Sequence, residues 1–314
     1  MGSDVIGIVI LNYNTFHDAI SCVDSIINTY KKDKKIIVVD NCSTNNSYEI
    51  LCNHFNKSRY YEEVICVRST HNGGFAYGNN YGIEVLRKHN IHYAILTNSD
   101  VIFKENSIEI LLSGIKNHDN AVIYAPLILD VHGNPLTLPW KNSQSLVQYL
   151  GLKSATKLGY TLEELEKINP TEVYMVSGCC YAIDINKFKK MGAFDENTFL
   201  YHEEGTVGKA ALKKGYKTFI DIDATIIHNH GNSTGRSNIF VDRELMMSGL
   251  YYWRVYENAS VFKLFLIWLF FILKIFVKTL LGKYDKRKGF FETMLITSKR
   301  LFDVCNIEIT VGKK

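Results

Sequence analysis

The sequence predicts an α/β fold in which a mostly parallel sheet carries helices on both faces and is followed by a C-terminal helical region. Short apolar, β-branched runs alternate with segments of helical periodicity through residues 5–129. This alternation is typical of strands that are buried on both faces and joined by helices. Residues 236–314 have a different character, because they combine a long apolar segment with a net charge of +7, against −3 for residues 1–235.

The composition indicates a globular, cytoplasmic protein. The chain has 314 residues, of which 46% are hydrophobic and 22% charged, so it can bury a sizeable core. Its seven cysteines include no CxxC spacing, which favours free thiols in a reducing compartment over a zinc site or a disulfide framework. The N-terminus lacks the basic and apolar regions of a signal peptide, so we expect the main body to stay in the cytoplasm.

The elements follow in order from the apolar patterning. Four-to-eight-residue apolar runs predict strands, and apolar residues at i, i+3 and i+4 predict helices. The predicted strands are 5–14, 34–44, 63–69, 93–100, 121–129 and 172–185, with two further short strands in 216–234. The predicted helices are 19–30, 47–56, 73–89, 105–116, 161–168 and 201–215. Residues 130–170 otherwise lack a pattern and are typical of a substrate-side loop.

Polar side chains stand where three of the predicted strands end. Ligands of such sheets bind beyond the carboxyl ends of the strands, so we expect these groups to converge on one rim. Asp100 alone suits either a capping role or one hard ligand for a divalent cation that also binds a diphosphate. The groups are Asn12 and Asn14, Asp40 and Asn41, and Asn98 and Asp100.

The stretch "NGGFAYGNNYG" (72–82) predicts a close approach of backbone. Its spacing does not fit GxGxxG, and it lacks the Lys and Ser/Thr of a P-loop. Two interpretations stay open, a tight turn with close packing and a loop that contacts a nucleotide.

Two clusters further along could carry chemistry. Glu203 and Glu204 follow His202 at a predicted helix start, where they either complement the helix dipole or supply a general base. His228 and His230 would share one face of a strand and could bind a metal.

Residues 261–288 predict an amphipathic, basic helix. Lys263, Lys274 and Lys278 fall on one helical stripe of an otherwise apolar segment, and a basic cluster follows at 283–288. We expect this helix to lie on an anionic membrane surface; a core or oligomer-contact helix and a spanning helix are the alternatives. The apolar content fits lipid better than nucleic acid. The aromatic run 251–253 and the apolar tail could also make a homodimer contact.

Taken in order, six motifs resemble the inverting family 2 glycosyltransferases of the GT-A fold. They are "VILNYN", "VVDNCST", "NGGFAYGNNYGI", "LTNSDV", "MGAFDENTFLYHEE" and "HNHGNST", within residues 5–256. The likeness is to rhamnosyltransferase-like and galactofuranosyltransferase-like bacterial enzymes that build surface polysaccharides such as capsule or O-antigen. It departs from the family at Asn98, which replaces a first aspartate, and at "EEGTVGKA".

The resemblance implies a Rossmann-like nucleotide-diphospho-sugar transferase domain at 1–235, a helical region at 236–314, and Mg²⁺ or Mn²⁺ as cofactor. It implies sugar transfer from a UDP- or dTDP-sugar to a lipid-linked glycan, on the inner face of the bacterial plasma membrane. The resemblance implies that Glu204 or Glu203 is the catalytic base and that Asp195 and His202 lie on the acceptor side. It places the metal site at Asp100, His228 and His230. The implied donor contacts are Asn12, Asn14, Asp40, Asn72, Gly74, Asn80 and Asn98.

Two other functions compete with transfer. A nucleotide-sugar-binding protein of the same fold without turnover is suggested by the altered "EEGTVGKA" stretch. A nucleotidyltransferase is disfavoured, because "LNYNTFHDA" lacks the Arg or Lys that a triphosphate loop near the N-terminus requires.

Overall fold

The computed structural model of the chain describes residues 5–58, 60, 62–151, 158–229, 238–282, 284 and 287–308. The strands are β1 (Ile6–Asn12), β2 (Lys34–Asp40), β3 (Val64–Arg68), β4 (Tyr93–Asn98), β5 (Val101–Phe103), β6 (Ala121–Leu129), β7 (Pro135–Thr137), β8 (Thr171–Val173), β9 (Cys180–Asp184) and β10 (Lys217–His228). The helices are α1 (Phe16–Thr29), α2 (Ser47–Asn56), α3 (Gly74–Lys88), α4 (Ser107–Asn117), α5 (Leu146–Tyr149), α6 (Leu162–Lys167), α7 (Ile185–Lys190), α8 (Glu203–Lys213), α9 (Ile239–Val255), α10 (Val261–Leu280) and α11 (Arg287–Cys305).

One sheet organises residues 6–228, in the strand order β3-β2-β1-β4-β9-β6-β10-β5. Strands β1 to β4 are parallel where they pair, as predicted. Two apolar clusters form, one on each face of the sheet, because the strands carry buried Ile and Val on both sides. The register sets Asn12 beside Asp40 and Leu11 beside Asn98, so the ends of three strands meet at one edge.

The prediction of a mostly parallel sheet is wrong, because the sheet is mixed. Strand β9 lies between β4 and β6 and runs antiparallel to both, and β5, β7 and β8 also pair antiparallel. A continuous apolar run predicts burial on both faces but carries no information about strand direction. An antiparallel strand also needs no helical crossover, so the alternation of strands and helices does not reveal it.

Three element boundaries differ from the prediction. The expected strand 172–185 is two strands, β8 and β9, separated by an irregular segment at 174–179. The two strands expected in 216–234 are one, β10, with a register shift between Asp221 and Thr225 where two aspartates interrupt the apolar pattern. The insertion 130–170 contains β7, α5 and α6, and α6 begins with a capping box formed by Thr161 and Glu164.

Helices α9, α10 and α11 build a separate apolar cluster beside the sheet. Tyr251, Tyr252 and Trp253 are buried in it, so the predicted dimer contact through these three side chains is corrected. Among the described residues, none of the helices combines the length and apolarity that crossing a membrane requires.

The lysines of α10 differ from one another in their surroundings. Lys278 does not point outward as predicted, since its Nζ lies 2.5 Å from Oδ2 of the buried Asp242. Lys263 is exposed near the start of the helix. Lys278 turns toward α9 because the buried carboxylate of Asp242 needs a cationic partner.

Lys278→Met should therefore destabilise the fold, because it leaves Asp242 buried without its cation. Removing one partner of a buried ion pair lowers the free energy of unfolding by roughly 3 kcal/mol. Because Lys278 is partly exposed, we expect a smaller loss of about 2 kcal/mol for this variant. Lys263→Met, the matched control on the same helix, should stay within about 0.5 kcal/mol of wild type. Urea unfolding measures both; equal stability of the two variants would contradict the pairing.

Candidate active site

The ends of β1 and β2 are joined by buried hydrogen bonds. Asn12 Nδ2 donates to Asp40 Oδ2 at 3.0 Å, and the backbone N–H of Ser43 donates to Asp40 Oδ1 at 2.9 Å. Both side chains are almost fully buried. The structure thus brings Asn12 and Asp40 together as predicted. Their hydrogen bonds hold in place the two loops that leave the sheet after β1 and β2.

Asn14 has a similar role at the rim. Its Oδ1 accepts from the backbone N–H groups of Thr44 and Asn45 at 2.9 and 3.2 Å. It adopts a left-handed conformation with φ of 62°, which asparagine tolerates better than most residues. The loop after β2 is therefore held against the loop after β1.

A first cavity of about 350 Å³ opens beyond these strand ends. Five predicted residues line it: Asn41, Asn72, Gly74, Asn98 and Asp100. Its aromatic walls come from residues that the sequence analysis did not single out: Tyr13, Phe75, Phe199 and Phe240. Asn80 is absent from the lining, contrary to the prediction. Its side-chain amide points from another face of α3 and is hydrogen-bonded to Phe194 and Glu196.

Gly74 is required by close backbone contact. Its φ is +85°, and a Cβ at this position would lie 2.0 Å from the carbonyl oxygen of Phe199. Asn72 Oδ1 accepts from the backbone N–H of Gly74 at 3.1 Å, and the next N–H, of Phe75, donates to Phe199 at 2.9 Å. The turn 72–75 and residue 199 therefore form one wall of the first cavity.

Asp100 and His228 meet at the inner end of this cavity. His228 Nε2 lies 3.0 Å from Asp100 Oδ1. Burial alone would lower the pKa of His228, but hydrogen bonds with Asp100 and Cys179 raise it to about 10. His230, predicted beside it, lies outside the described residues.

A divalent cation fits this place only with help from the substrate. Within the described part of the chain, no group of three or more His, Cys, Asp or Glu forms a metal site. Asp100 supplies one ligand, which suits a cation that retains waters and is held largely by a diphosphate. His228 does not fit its predicted role as a ligand, because its raised pKa keeps the imidazole protonated near pH 7, where it pairs with Asp100.

The second group of candidates stands at the start of α8, after two residues in left-handed conformations, Tyr201 and His202. Burial lowers the pKa of His202 to about 4, so its imidazole is neutral near pH 7. Its ring stacks on Tyr252 with centroids 5.3 Å apart. The predicted acceptor-side residue is thus a buried neutral ring against α9.

Glu203 and Glu204 differ in environment, because only Glu204 borders a cavity. Glu203 is buried, and burial followed by the charge of Glu204 raises its pKa well above the usual range. Glu204 borders the second cavity and its Oε1 accepts from the backbone N–H of Gly178 at 3.2 Å. Burial raises the pKa of Glu204 as well, although backbone hydrogen bonds oppose the shift.

The second cavity has a volume of about 670 Å³. Its walls come from the insertion at 137–151, from the segment at 174–177, from 201–205 and from α9 and α10. Aromatic side chains dominate it, including Trp140, Tyr149, Tyr252 and Trp253. The predicted substrate-side insertion therefore borders a cavity.

Four consecutive residues border the two cavities, since Phe199 and Leu200 line the first and Tyr201 and His202 line the second. The residues just before β9 contact candidate residues of both cavities. Asn98 N–H donates to Cys179 at 2.9 Å, Cys179 contacts His228, and Gly178 binds Glu204. Asp100 and Glu204 are therefore on two sides of one short segment.

Asp195 is not at either cavity, contrary to its predicted acceptor-side role. Its Oδ2 accepts from the hydroxyls of Tyr251 and Tyr256, each at 2.8 Å. Ser248 Oγ donates to the carbonyl of Leu200 at 2.7 Å. Asp195 thus fastens the segment before Glu204 to α9.

The geometry defines a class of proteins: a GT-A-like mixed α/β sheet with a cavity at its strand ends that is bordered by asparagines and a carboxylate. Residues 7–192 match the model of glycosyl transferase family 2. The chain belongs to this family.

Relatives and solved structures agree with that assignment. Glycosyltransferase GlyG of Streptococcus pneumoniae is 34% identical over 121 residues, or 38% of each chain. The N-acetylglucosaminyl-diphospho-decaprenol L-rhamnosyltransferase of Mycobacterium tuberculosis is 28% identical over 150 residues, 46% of this chain and 49% of that protein. The chain thus spans less than half the length of these relatives.

The crystal structure of GalNAc-T7 with UDP, GalNAc and Mn²⁺ superposes with a TM-score of 0.60 at 15% identity. The match covers 82% of this chain and 49% of that one. At this identity the likeness shows the fold.

Gly74→Ala should disrupt the first cavity beyond the strain of its conformation. Gly133→Ala is a matched control, because its φ of +86° is nearly the same but nothing lies within 4 Å of the added Cβ. We expect Gly133→Ala to lose about 1–2 kcal/mol of stability, the cost of a left-handed Ala. Gly74→Ala should lose more, and it alone should weaken binding of a nucleotide diphosphate, measured by calorimetry. Equal effects of both variants on binding would contradict the assigned contact.

Proposed function

We propose that the chain transfers a sugar from a UDP- or dTDP-sugar to a hydroxyl group of a lipid-linked glycan, with inversion at the anomeric carbon. The observation that carries this is that residues 199–202 border two cavities, of which one is lined by Asp100 and the other by Glu204. A single displacement requires the leaving group and the attacking hydroxyl on opposite sides of the reacting carbon. In this proposal the donor and the acceptor occupy these two cavities and meet at the shared segment.

In this proposal the donor occupies the first cavity. Asn72 and Asn98 contact it directly, and Asn12, Asn14 and Asp40 hold the loops that shape its entrance. Asp100 would hold Mg²⁺ or Mn²⁺ against the diphosphate, and His228 orients the Asp100 carboxylate through its hydrogen bond. A cation bound there would screen the charge that grows on the leaving group. The UDP and Mn²⁺ named with GalNAc-T7 support this choice of donor and cation.

Glu204 is the proposed general base. An acceptor hydroxyl must lose its proton as it attacks, and a carboxylate with a raised pKa takes protons better than one with an ordinary pKa. Glu204 lines the second cavity, whereas Glu203 does not. Glu203 is therefore assigned to the buried support of α8.

The acceptor and its setting are proposed from the helical region, 236–314, which we treat as distinct from the catalytic region, 1–235. Between residues 261 and 302, twelve large apolar side chains are exposed: Val261, Phe262, Phe265, Leu266, Leu273, Phe276, Val277, Leu280, Leu281, Phe291, Leu295 and Phe302. At about 100° per residue, those from Phe262 to Leu280 lie within roughly 60° of one line along α10.

This exposed face and the basic sequence at 283–288 fit an anionic membrane surface. The proposed location is peripheral, on the inner face of a bacterial plasma membrane. The diphospho-decaprenol in the mycobacterial relative's name supports a lipid-linked acceptor in surface polysaccharide synthesis, such as capsule or O-antigen.

Glu204→Gln should lower the turnover number by about 10²–10⁴, because the amide cannot accept the acceptor's proton. Donor binding should stay within about threefold of wild type. Since burial raises the pKa of Glu204, the wild-type rate should fall with decreasing pH at values above 4.5, the ordinary pKa of a glutamate. Radiolabelled sugar transfer to a lipid-linked acceptor measures both effects.

Glu203→Gln is the isosteric control and should keep most of the wild-type rate. A large loss in Glu203→Gln with an active Glu204→Gln would reverse the assignment of the base. If the wild-type protein binds nucleotide sugars but transfers to none of the lipid-linked acceptors, the alternative of a binding protein without turnover holds.

Replacing Phe262 and Leu280 together by Ser should weaken binding to phosphatidylglycerol-containing vesicles by roughly tenfold or more, because both side chains are exposed on the apolar line of α10. Leu212→Ser with Ile168→Ser is the matched control, since these residues are similarly exposed elsewhere. Vesicle co-sedimentation is the measurement. A loss of binding in the control pair alone would argue against α10 as the membrane face.

A further inference from the structure

Lys274 differs from the other lysines of α10 because it lines the second cavity. It shares that cavity with Glu204, the proposed base. Its side chain is exposed, so the cavity reaches the surface beside it. Within the part of the chain that the structure describes, no carboxylate lies within 4 Å of its ammonium group, which instead sits 5.5 Å from the centroid of the Phe271 ring.

This arrangement leaves a cation available at the mouth of the cavity. Lys278, one turn further along, is paired with Asp242 and serves the fold. An ammonium group over an aromatic ring keeps its charge and its three donors for a further partner. An anionic group that enters the second cavity would find the Lys274 ammonium group among its lining residues.

The interior of the cavity has the character of a carbohydrate site. Flat aromatic rings form its walls. Buried polar atoms on lining residues, among them the Tyr149 hydroxyl, His202 Nε2 and Trp253 Nε1, have no hydrogen-bond partner among the described residues. Buried polar groups are rarely left without partners in a ligand-bound state, so a hydroxyl-rich ligand or ordered water is expected there.

The rim of the cavity continues into the exposed apolar face of α10. Leu273 lies on that face, and Phe270 and Lys274 line the cavity. Leu273 and Phe270 are three residues apart, or about 60° around the helix. A ligand that leaves the cavity past Phe270 therefore reaches the face proposed to contact lipid without crossing a polar surface of this helix.

We propose that the second cavity binds a lipid-linked phosphate or diphosphate sugar and that Lys274 binds its phosphate. The sugar lies against the aromatic walls toward Glu204, and the lipid chain follows the apolar face of α10 into the membrane. This inference rests on the proposed function for the reaction that follows, but the binding it describes does not require the donor.

Farnesyl diphosphate tests the site directly. Trp140 and Trp253, two of the three tryptophans, line the cavity, so tryptophan fluorescence reports its occupation. The titration is done in EDTA, which prevents a cation at Asp100 from holding the diphosphate. We expect Lys274→Ala to raise the Kd for farnesyl diphosphate about tenfold or more, since a hydrogen bond to a charged group contributes at least that factor to affinity. Lys274→Arg should retain binding, and Lys263→Ala should bind as wild type does.

Farnesol, which lacks the phosphates, separates charge from apolar contact. It should bind wild type more weakly than the diphosphate does, and it should bind Lys274→Ala and wild type equally. Equal affinity of wild type and Lys274→Ala for farnesyl diphosphate would overturn the proposal. Because no donor is present, failure of sugar transfer would leave this result unchanged, and the two hypotheses fail separately.

A phospholipid headgroup is the other source of phosphate, and vesicles distinguish it. If Lys274 binds the acceptor, Lys274→Ala should sediment with phosphatidylglycerol vesicles as wild type does. A loss of vesicle binding in Lys274→Ala, with farnesyl diphosphate binding retained, would assign the lysine to the membrane and refute the acceptor site.

Discussion

The antiparallel placement of β9 between β4 and β6 is the constraint on which the site depends. Because β9 enters the sheet from the edge where β4 ends, the residues just before it, Gly178 and Cys179, pass directly beside Asn98 and His228. The same residues bind Glu204 through the N–H of Gly178. A parallel strand at this position would begin at the opposite edge and would leave the glutamate without this link to the strand ends of β1, β2 and β4.

The C-terminal helices complete what β9 begins. The segment 195–202 precedes the glutamates and borders both cavities, and α9 fastens it at several points: Asp195 to Tyr251 and Tyr256, Leu200 to Ser248, and His202 to Tyr252. The helical region thus does more than offer an apolar face. Helix α9 packs against α10, whose outer side is exposed and apolar, so the proposed membrane contact and the position of Glu204 would be coupled through these two helices.

Sequence patterning predicts the first half of the fold well, because strands such as β1 and β2 are uniform apolar runs bounded by polar residues, and α2 and α3 have clear periodicity. It also finds Asp100, Gly74 and Glu204, since polar groups at strand ends and at a helix start are local signals. It fails for Asp195, Asn80 and Lys278, whose partners are between 36 and 116 residues away along the chain. The direction of β9 is equally invisible, because an apolar run reads the same from either end.

The two glutamates show why long-range packing decides chemistry that a motif leaves open. Adjacent carboxylates at one helix start repel each other when both are ionised, so burial makes the more enclosed one hold its proton. Glu203 is that residue, and its raised pKa follows from burial and from the neighbouring charge. Glu204 gains a hydrogen bond from Gly178 that favours its ionised form and borders open space. A pair that is symmetrical in sequence therefore becomes one neutral support and one proposed base, and the difference comes from the segment before β9 rather than from either glutamate.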